Sequence, residues 1–141
     1  MIFDLHSHTR FSDGSLSPAD LVKRALENNV DTLSITDHDT VDAYRHLPED
    51  LHGIELVCGI EFSTQWENTG IHVLGLNIDP RSDAIDAGVR YQTDARMRRA
   101  RRIGENLEKR GIENAFDGAA ALASGNYIGR PHFAQHVINI G

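Results

Sequence analysis

His6 and His8 stand two residues apart in Asp4-Leu5-His6-Ser7-His8-Thr9, immediately after the apolar run Met1-Ile2-Phe3. That run, with Leu5, reads as a short buried strand. Side chains two apart on a strand point the same way, so both imidazoles project together and Asp13 follows them after a turn. Two imidazoles and a carboxylate at a strand end are a donor set for a divalent ion of the Zn, Mn or Fe type. The plainer alternative is two hydrogen-bonded histidines beside a capping aspartate. The pattern then recurs. Thr36-Asp37-His38-Asp39-Thr40 ends a second apolar run, Glu61 ends a third, and His72 sits within Ile71-His72-Val73-Leu74-Gly75-Leu76. Repeated nitrogen and carboxylate donors at strand ends favour a polynuclear metal site over packing. By contrast, His46 and His52 fall in helix-end and loop contexts and read as surface residues. Cys58, inside Glu55-Leu56-Val57-Cys58-Gly59-Ile60, reads as buried strand packing rather than as a nucleophile.

The elements that must carry these residues are legible in outline. Ser17 is placed as an N-cap, Pro18 suits the first helical position, and Asp20 completes a capping-box-like start. Leu21, Val22, Ala25 and Leu26 recur at helical spacing up to Asn28-Asn29. Val30–Ile35 reads as the next buried strand, which makes a strand–helix–strand unit with a parallel pair. Its polar clusters then lie at the C-terminal ends of parallel strands, where barrels and open α/β sheets place their chemistry. A helix over 40–47, a break at Pro48-Glu49-Asp50 and a strand over 55–60 make a second unit.

After Pro80 the strand signal stops. Residues 82–110 read as one long helix or two in succession, with Val89, Met97, Ala100, Ile103 and Leu107 as the apolar stripe and Gly111 as the stop. A short helix follows over 115–123, then a turn over Gly125–Gly129, then a helix opening at Arg130-Pro131-His132. Pro131 near the helix start leaves free backbone N–H groups beside Arg130, a seat for phosphate. His132 and His136 share a helical face, but Phe133 occupies the place where a zinc protease helix needs glutamate, so that chemistry is rejected.

Composition is that of a globular domain, 40% hydrophobic and 25% charged over 141 residues, long enough for one real core. No apolar run approaches a membrane span and no signal-like start is evident. The single cysteine excludes an internal disulfide and fits a reducing cytoplasm, so the expectation is a cytoplasmic chain without membrane association. The net charge of −7 is uneven: residues 1–80 carry 14 acids and 4 bases, residues 81–141 carry 7 acids and 10 bases. Eight bases and three acids fall between 90 and 110. A solvated helix face explains this as well as an anion-facing surface does. Together the halves read as a cation-binding part joined to an anion-binding part. There is no internal repeat, phosphate-cradling glycine loop or serine-nucleophile elbow.

The sequence Asp4-Leu5-His6-Ser7-His8 with Ser12-Asp13-Gly14, then Thr36-Asp37-His38-Asp39, Gly59-Ile60-Glu61-Phe62-Ser63 and Ile71-His72-Val73-Leu74-Gly75, resembles the PHP (polymerase and histidinol phosphatase) superfamily. Gly129-Arg130-Pro131-His132-Phe133-Ala134 is similar to its TrpH-like branch of phosphoesterases. The resemblance spans nearly the whole chain, with the motifs in the family's order. It implies an α/β fold, a distorted (βα)7 barrel of which residues 1–80 hold the first strands, with 81–141 as the start of a helical insertion over the active site. It also implies two to three divalent ions, Mn, Fe or Zn. His6 and His8 would hold one, Glu61 would bridge it to a second also bound by His72, and Asp13 and His38 would hold the third. Arg130 and His132 would contact substrate phosphate. The family completes its site with a further histidine and an Asp-x-His pair that this chain does not contain. The expectation is therefore the first half of a barrel, completed by a C-terminal half or a second copy.

The chemistry implied is hydrolysis of nucleotide phosphate esters by a metal-activated water, with Arg130 neutralising the phosphoryl oxygens and His132 protonating the leaving oxygen. A 3′,5′-bisphosphate nucleotide is the first substrate class. Short RNA or DNA oligonucleotides attacked from the 5′ end are the second. A catalytically incomplete metal-binding or interaction fragment is the third reading.

Overall fold

The computed structural model describes residues 1–123 and 127–141, which form two compact units, Met1–Arg90 and Tyr91–Gly141. In the first, β1 (Phe3–Ser7), α1 (Pro18–Glu27), β2 (Thr32–Ile35) and β3 (Glu55–Leu56) make a parallel sheet in the order β1-β2-β3. A second sheet is the antiparallel hairpin of β4 (Gly59–Trp66) and β5 (Thr69–Leu76). The fold is α/β, as expected.

Local chemistry explains the start of α1. The Ser17 side chain accepts from the Asp20 N–H at 3.1 Å and Pro18 opens the helix, leaving one fewer orphan donor. The helix buries Val22 and Ala25 against Leu33 and Ile54, with Leu21, Leu26, Val30, Leu47 and Leu51 around them. Flanked by β1 and β3, β2 is buried at all four positions. Leu33 and Ile35 are at 0% and 1% exposure, each worth about 1.5–3 kcal/mol in removed apolar surface.

Three expectations need correction. The helix expected over 40–47 is a single 3-10 turn, Asp42–Arg45. Its function is to place Tyr44, whose hydroxyl donates to the carbonyls of Ile35 and Gly59 and accepts from the Gly59 N–H at 2.6 Å. Burial pushes the Tyr44 phenol up to about 12, so it stays a neutral pin between β2 and β4. The strand expected over 55–60 is broken at Val57-Cys58, where the chain leaves the parallel sheet for the hairpin. Cys58 is consequently half-buried at that break rather than enclosed in a strand, and its thiol is pushed up by burial and by Asp79. The first strand is not buried on both sides. Met1, Ile2 and Phe3 are 89%, 50% and 58% exposed, because β1 has β2 on one edge and no strand on the other among the described residues. The same holds for β5, where Ile71, Val73, Leu74 and Leu76 are exposed.

A pair of backbone bonds joins the sheets at the site. Glu61 N–H donates to the Asp37 carbonyl at 3.2 Å and Asp39 N–H donates to the Glu61 carbonyl at 3.0 Å. The end of β2 and the start of β4 are thereby held side by side, His38 opposite Glu61.

The second unit takes up most of α2 (Asp83–Glu108), with α3 (Ala115–Leu122) and α4 (Arg130–Ile140). The stretch expected as one helix or two is thus a single helix, Asp83–Glu108, and the turn after it closes at Gly111, whose φ of +89° is the left-handed conformation that glycine adopts freely. Ala100, Ala119 and Phe133 are its core, wrapped by Ile103, Leu107, Phe116 and Ile128. Gly104 permits the approach: a Cβ there would sit 2.7 Å from Phe116 Cβ and 3.2 Å from its backbone. Of the turn expected over Gly125–Gly129, Gly125 and Asn126 lie outside the described residues. No helix among the described residues is long and apolar enough to cross a membrane.

Candidate metal centre

The first unit brings all six predicted donors together. Glu61, 4% exposed, is the hub. Its Oε2 lies 2.9 Å from His6 Nε2, 3.2 Å from His8 Nε2 and 3.7 Å from His38 Nδ1, and its Oε1 lies 2.8 Å from His72 Nδ1. Asp13 forms a second corner, 3.5 Å from His8 Nδ1 and 3.4 Å from His38 Nε2. The rings pack face on or edge on, with centroids 4.7 Å apart for His8 and His38 and 4.8 Å for His38 and His72. His72 reaches the cluster from the middle of β5, opposite Ser63 in the hairpin register, rather than from a strand end. Glu61, expected to end a strand, likewise lies inside one, near the start of β4, which continues to Trp66; His6 is near the end of β1, and His8, Asp13 and His38 stand beyond the ends of β1 and β2.

Three overlapping groups have donor atoms within 4.8 Å of one another: His6, His8 and Glu61; His38, Glu61 and His72; His8, Asp13 and His38. A mixed imidazole–carboxylate set of this spacing fits divalent Zn, Mn or Fe. One atom tests that fit directly. His38 Nδ1 is buried and makes no hydrogen bond, a costly state for a polar atom and one that a cation between it and Glu61 would relieve.

The electrostatics keep the donors ready to bind. Burial lowers the His38 pKa below 6.5 despite the opposing pull of Asp13 and Glu61, so its ring is neutral at neutral pH. Burial pushes the Glu61 carboxyl up, but the hydrogen bonds from His6 and His72 and the charges of His38 and His6 outweigh it, holding it below 4.5. Both shifts act on stability in the same direction. As pH falls below about 6.5, the unfolded chain takes up a proton at His38 that the folded site resists, and below about 4.5 the same applies to Glu61. The melting temperature of the metal-free protein is therefore expected to fall on acidification from about pH 7.5 to about pH 5.5. A melting temperature that rises over this window would contradict the placement of His38.

Sequence reasoning gave His38 a role and left its neighbours without one. Asp37 and Asp39, 1% and 3% exposed, both carry supporting bonds. Asp39 holds a left-handed φ of +56° and accepts from the Ser63 N–H at 2.7 Å, fixing β4 behind Glu61. Two acids flanking a candidate ligand at a strand end were the available signal.

Arg130 and His132 belong to the second unit, at the start of α4. Arg130 is exposed and lines a cavity of about 170 Å3 with Arg96, Arg99 and Tyr127; Arg96 stacks over the Tyr127 ring at 4.7 Å. His132 Nδ1 accepts from the Gly129 N–H at 3.0 Å, which leaves the proton of the neutral ring on Nε2. His46 stacks on Phe11 and His52 pairs with Asp50; neither enters the donor groups found among the described residues.

The PHP domain model matches residues 4–134, and the chain belongs to the PHP family. It is 45% identical to a 5′-3′ exoribonuclease of Haemophilus influenzae, over 99% of this chain and 51% of that one. It is 37% identical to a 3′,5′-nucleoside bisphosphate phosphatase of Chromobacterium violaceum, over 98% of this chain and 50% of that one. Among solved structures, an amidohydrolase from Chromobacterium violaceum with bound sulfate and no metal superposes with a TM-score of 0.85 at 36% identity, covering 100% of this chain and 51% of that one. The chain thus spans about half the length of the curated relatives it matches.

Proposed function

We propose that this chain carries the metal-binding half of a phosphoester hydrolase acting on nucleotides, with a 3′,5′-bisphosphate nucleotide as the first substrate class. The convergence of His6, His8, Asp13, His38 and His72 on or beside Glu61 is the observation that carries the reading. In this reading His6, His8 and Glu61 hold one ion, Glu61 and His72 with His38 a second, and Asp13 with His8 and His38 a third. Bound divalent ions polarise phosphoryl oxygens and supply activated water at neutral pH. The protein's own groups do the rest. Glu61 stays ionised between facing imidazoles and His38 stays neutral. The family resemblance, rather than any distance to the metal centre, gives the proposed roles of Arg130, a guanidinium for phosphoryl oxygens, and of His132, an Nε2–H for a leaving oxygen.

Residues 1–80 are the first strands of a distorted (βα)7 barrel in this proposal, and 81–141 begin its helical insertion. The outer edges of β1 and β5, unpaired among the described residues, and their exposed apolar side chains support a further half of the barrel, or a second copy, packing there. The doubled length of the relatives supports the former. A cytoplasmic location is part of the same proposal.

A second reading, a 5′→3′ exonuclease on short RNA or DNA, uses the same chemistry. The exoribonuclease relative and the eight bases between 90 and 110 support it. Release of inorganic phosphate from a 3′,5′-bisphosphate nucleotide, beside release of mononucleotides from a 5′-phosphorylated oligonucleotide, separates the two. Oligonucleotide turnover that falls steeply with salt while mononucleotide turnover does not would favour the exonuclease. No turnover of either, with Mn, Fe and Zn each supplied, would leave a non-catalytic metal-binding module.

A further inference from the structure

Asp37 is a buried residue whose carboxylate has no place in the donor groups, yet the hydrogen bonds of that carboxylate go to the turn that carries Asp13. Its Oδ1 accepts from the Thr9 N–H at 2.6 Å and from the Ser12 hydroxyl at 2.7 Å, and its Oδ2 accepts from the Thr9 hydroxyl at 2.6 Å. Thr9 is itself 0% exposed and Ser12 is 8% exposed, so water does not compete. Hydrogen bonds to an ionised acceptor are the strong ones, and buried groups stripped of such a partner are costly.

The turn bound in this way is closed on itself. Ser12 N–H and Gly14 N–H both donate to the Thr9 carbonyl at 3.0 Å. His8 precedes it and Asp13 lies within it. On the other side of the clamp, Asp37 is followed directly by His38. One carboxylate therefore locks the turn bearing His8 and Asp13 onto the strand end bearing His38. The gaps of 3.5 Å from Asp13 to His8 and 3.4 Å from Asp13 to His38 are set by this lock. Glu61 depends on it less, since its backbone is tied to residues 37 and 39 through main-chain bonds that side-chain removal leaves intact.

We propose that Asp37 is a positioning residue that assembles the His8–Asp13–His38 corner specifically, while the two groups centred on Glu61 form without it. This rests on the metal-centre reading above, and the test separates the two. Asp37→Ala removes both acceptor oxygens and with them all three bonds. Asp37→Asn keeps Oδ1 for the Thr9 N–H and the Ser12 hydroxyl, and its amide N–H can donate to a Thr9 hydroxyl turned to accept.

After loading with Mn or Zn and exhaustive dialysis, elemental analysis of Asp37→Ala is expected to show one equivalent fewer than the parent protein, and Asp37→Asn the parent content. In the metal-free proteins, amide exchange at Ser12 and Gly14 is expected to be about tenfold faster in Asp37→Ala and unchanged in Asp37→Asn. If Asp37→Ala does not fold, Ser12→Ala, which removes one of the three donors, is expected to lose metal from the same corner. Full metal content with unchanged exchange in Asp37→Ala, or in Ser12→Ala where that variant decides, overturns the proposal. So does equal loss of every equivalent in Asp37→Ala and Asp37→Asn, which would be a general folding role. A parent protein that binds no metal sinks the metal-centre reading, and the exchange rates still decide whether Asp37 holds the turn.

Discussion

Glu61→Gln is expected to strip the centre of at least two metal equivalents and to lower kcat/KM on phosphate esters by about 10^3-fold or more, the scale of losing several kcal/mol of charge stabilisation. The reasoning is geometric. Four imidazole nitrogens lie within 3.7 Å of the two Glu61 oxygens, and two of the three donor groups include this residue. Glutamine fills the same volume but replaces one oxygen with an N–H2 donor and removes the charge, so it cannot bridge two cations. The main-chain bonds of residue 61 to residues 37 and 39 survive, and the fold is expected to persist. Metal analysis beside a phosphate-release assay checks both halves of the statement. Full activity in Glu61→Gln would defeat the shared-carboxylate scheme outright.

Gly14→Ala is expected to be the most damaging single-methyl change in the first unit. A Cβ at this position would strike the His8 carbonyl group, 2.5 Å from its carbon, and come within 2.9 Å of the Thr9 nitrogen. The obstacle is backbone, which cannot swing aside as a side-chain tip does. The Gly14–Thr9 bond must lengthen and the turn must open, carrying Asp13 away from His8 and His38. Overpacking of this kind costs about 1–3 kcal/mol, a drop in melting temperature of roughly 4–12 °C for a chain of this size. The loss of metal should fall first on the Asp13 corner. Thermal unfolding with and without metal checks this; a variant as stable as the parent with unchanged metal content would show that the turn is looser than its contacts imply.

The donors were legible in the sequence because they follow two simple periodicities. His6 and His8 are two apart at the end of β1, and His38 closes an apolar run, so local pattern gave their placement; Glu61 also closes an apolar run, yet it lies inside β4, which continues to Trp66. The long helix was legible because its stripe persists through to Leu107 and ends at a glycine. The elements that were misjudged are those whose form depends on distant partners. Residues 55–60 carry an apolar pattern, yet the chain passes from a parallel sheet to an antiparallel hairpin there, and the break is held by distant partners: Tyr44 on Gly59, Leu33 on Val57 and Ile78 on Cys58. The exposure of Met1, Ile2 and Phe3 is likewise a matter of which strand neighbours β1, and an apolar run does not encode its neighbours. Asp37 and Asp39 escaped for a related reason. Their partners Thr9, Ser12 and Ser63 are more than twenty residues away, and a buried aspartate beside a histidine reads the same in sequence whether it binds metal or backbone.

The central claim is that this cluster is a metal centre, and metal content per chain tests it most directly, by elemental analysis of protein purified without chelator or metal-affinity tag. The account predicts two to three equivalents of Mn, Fe or Zn in the parent protein. A chain that retains no divalent metal after purification, and takes up none when it is supplied, would contradict it.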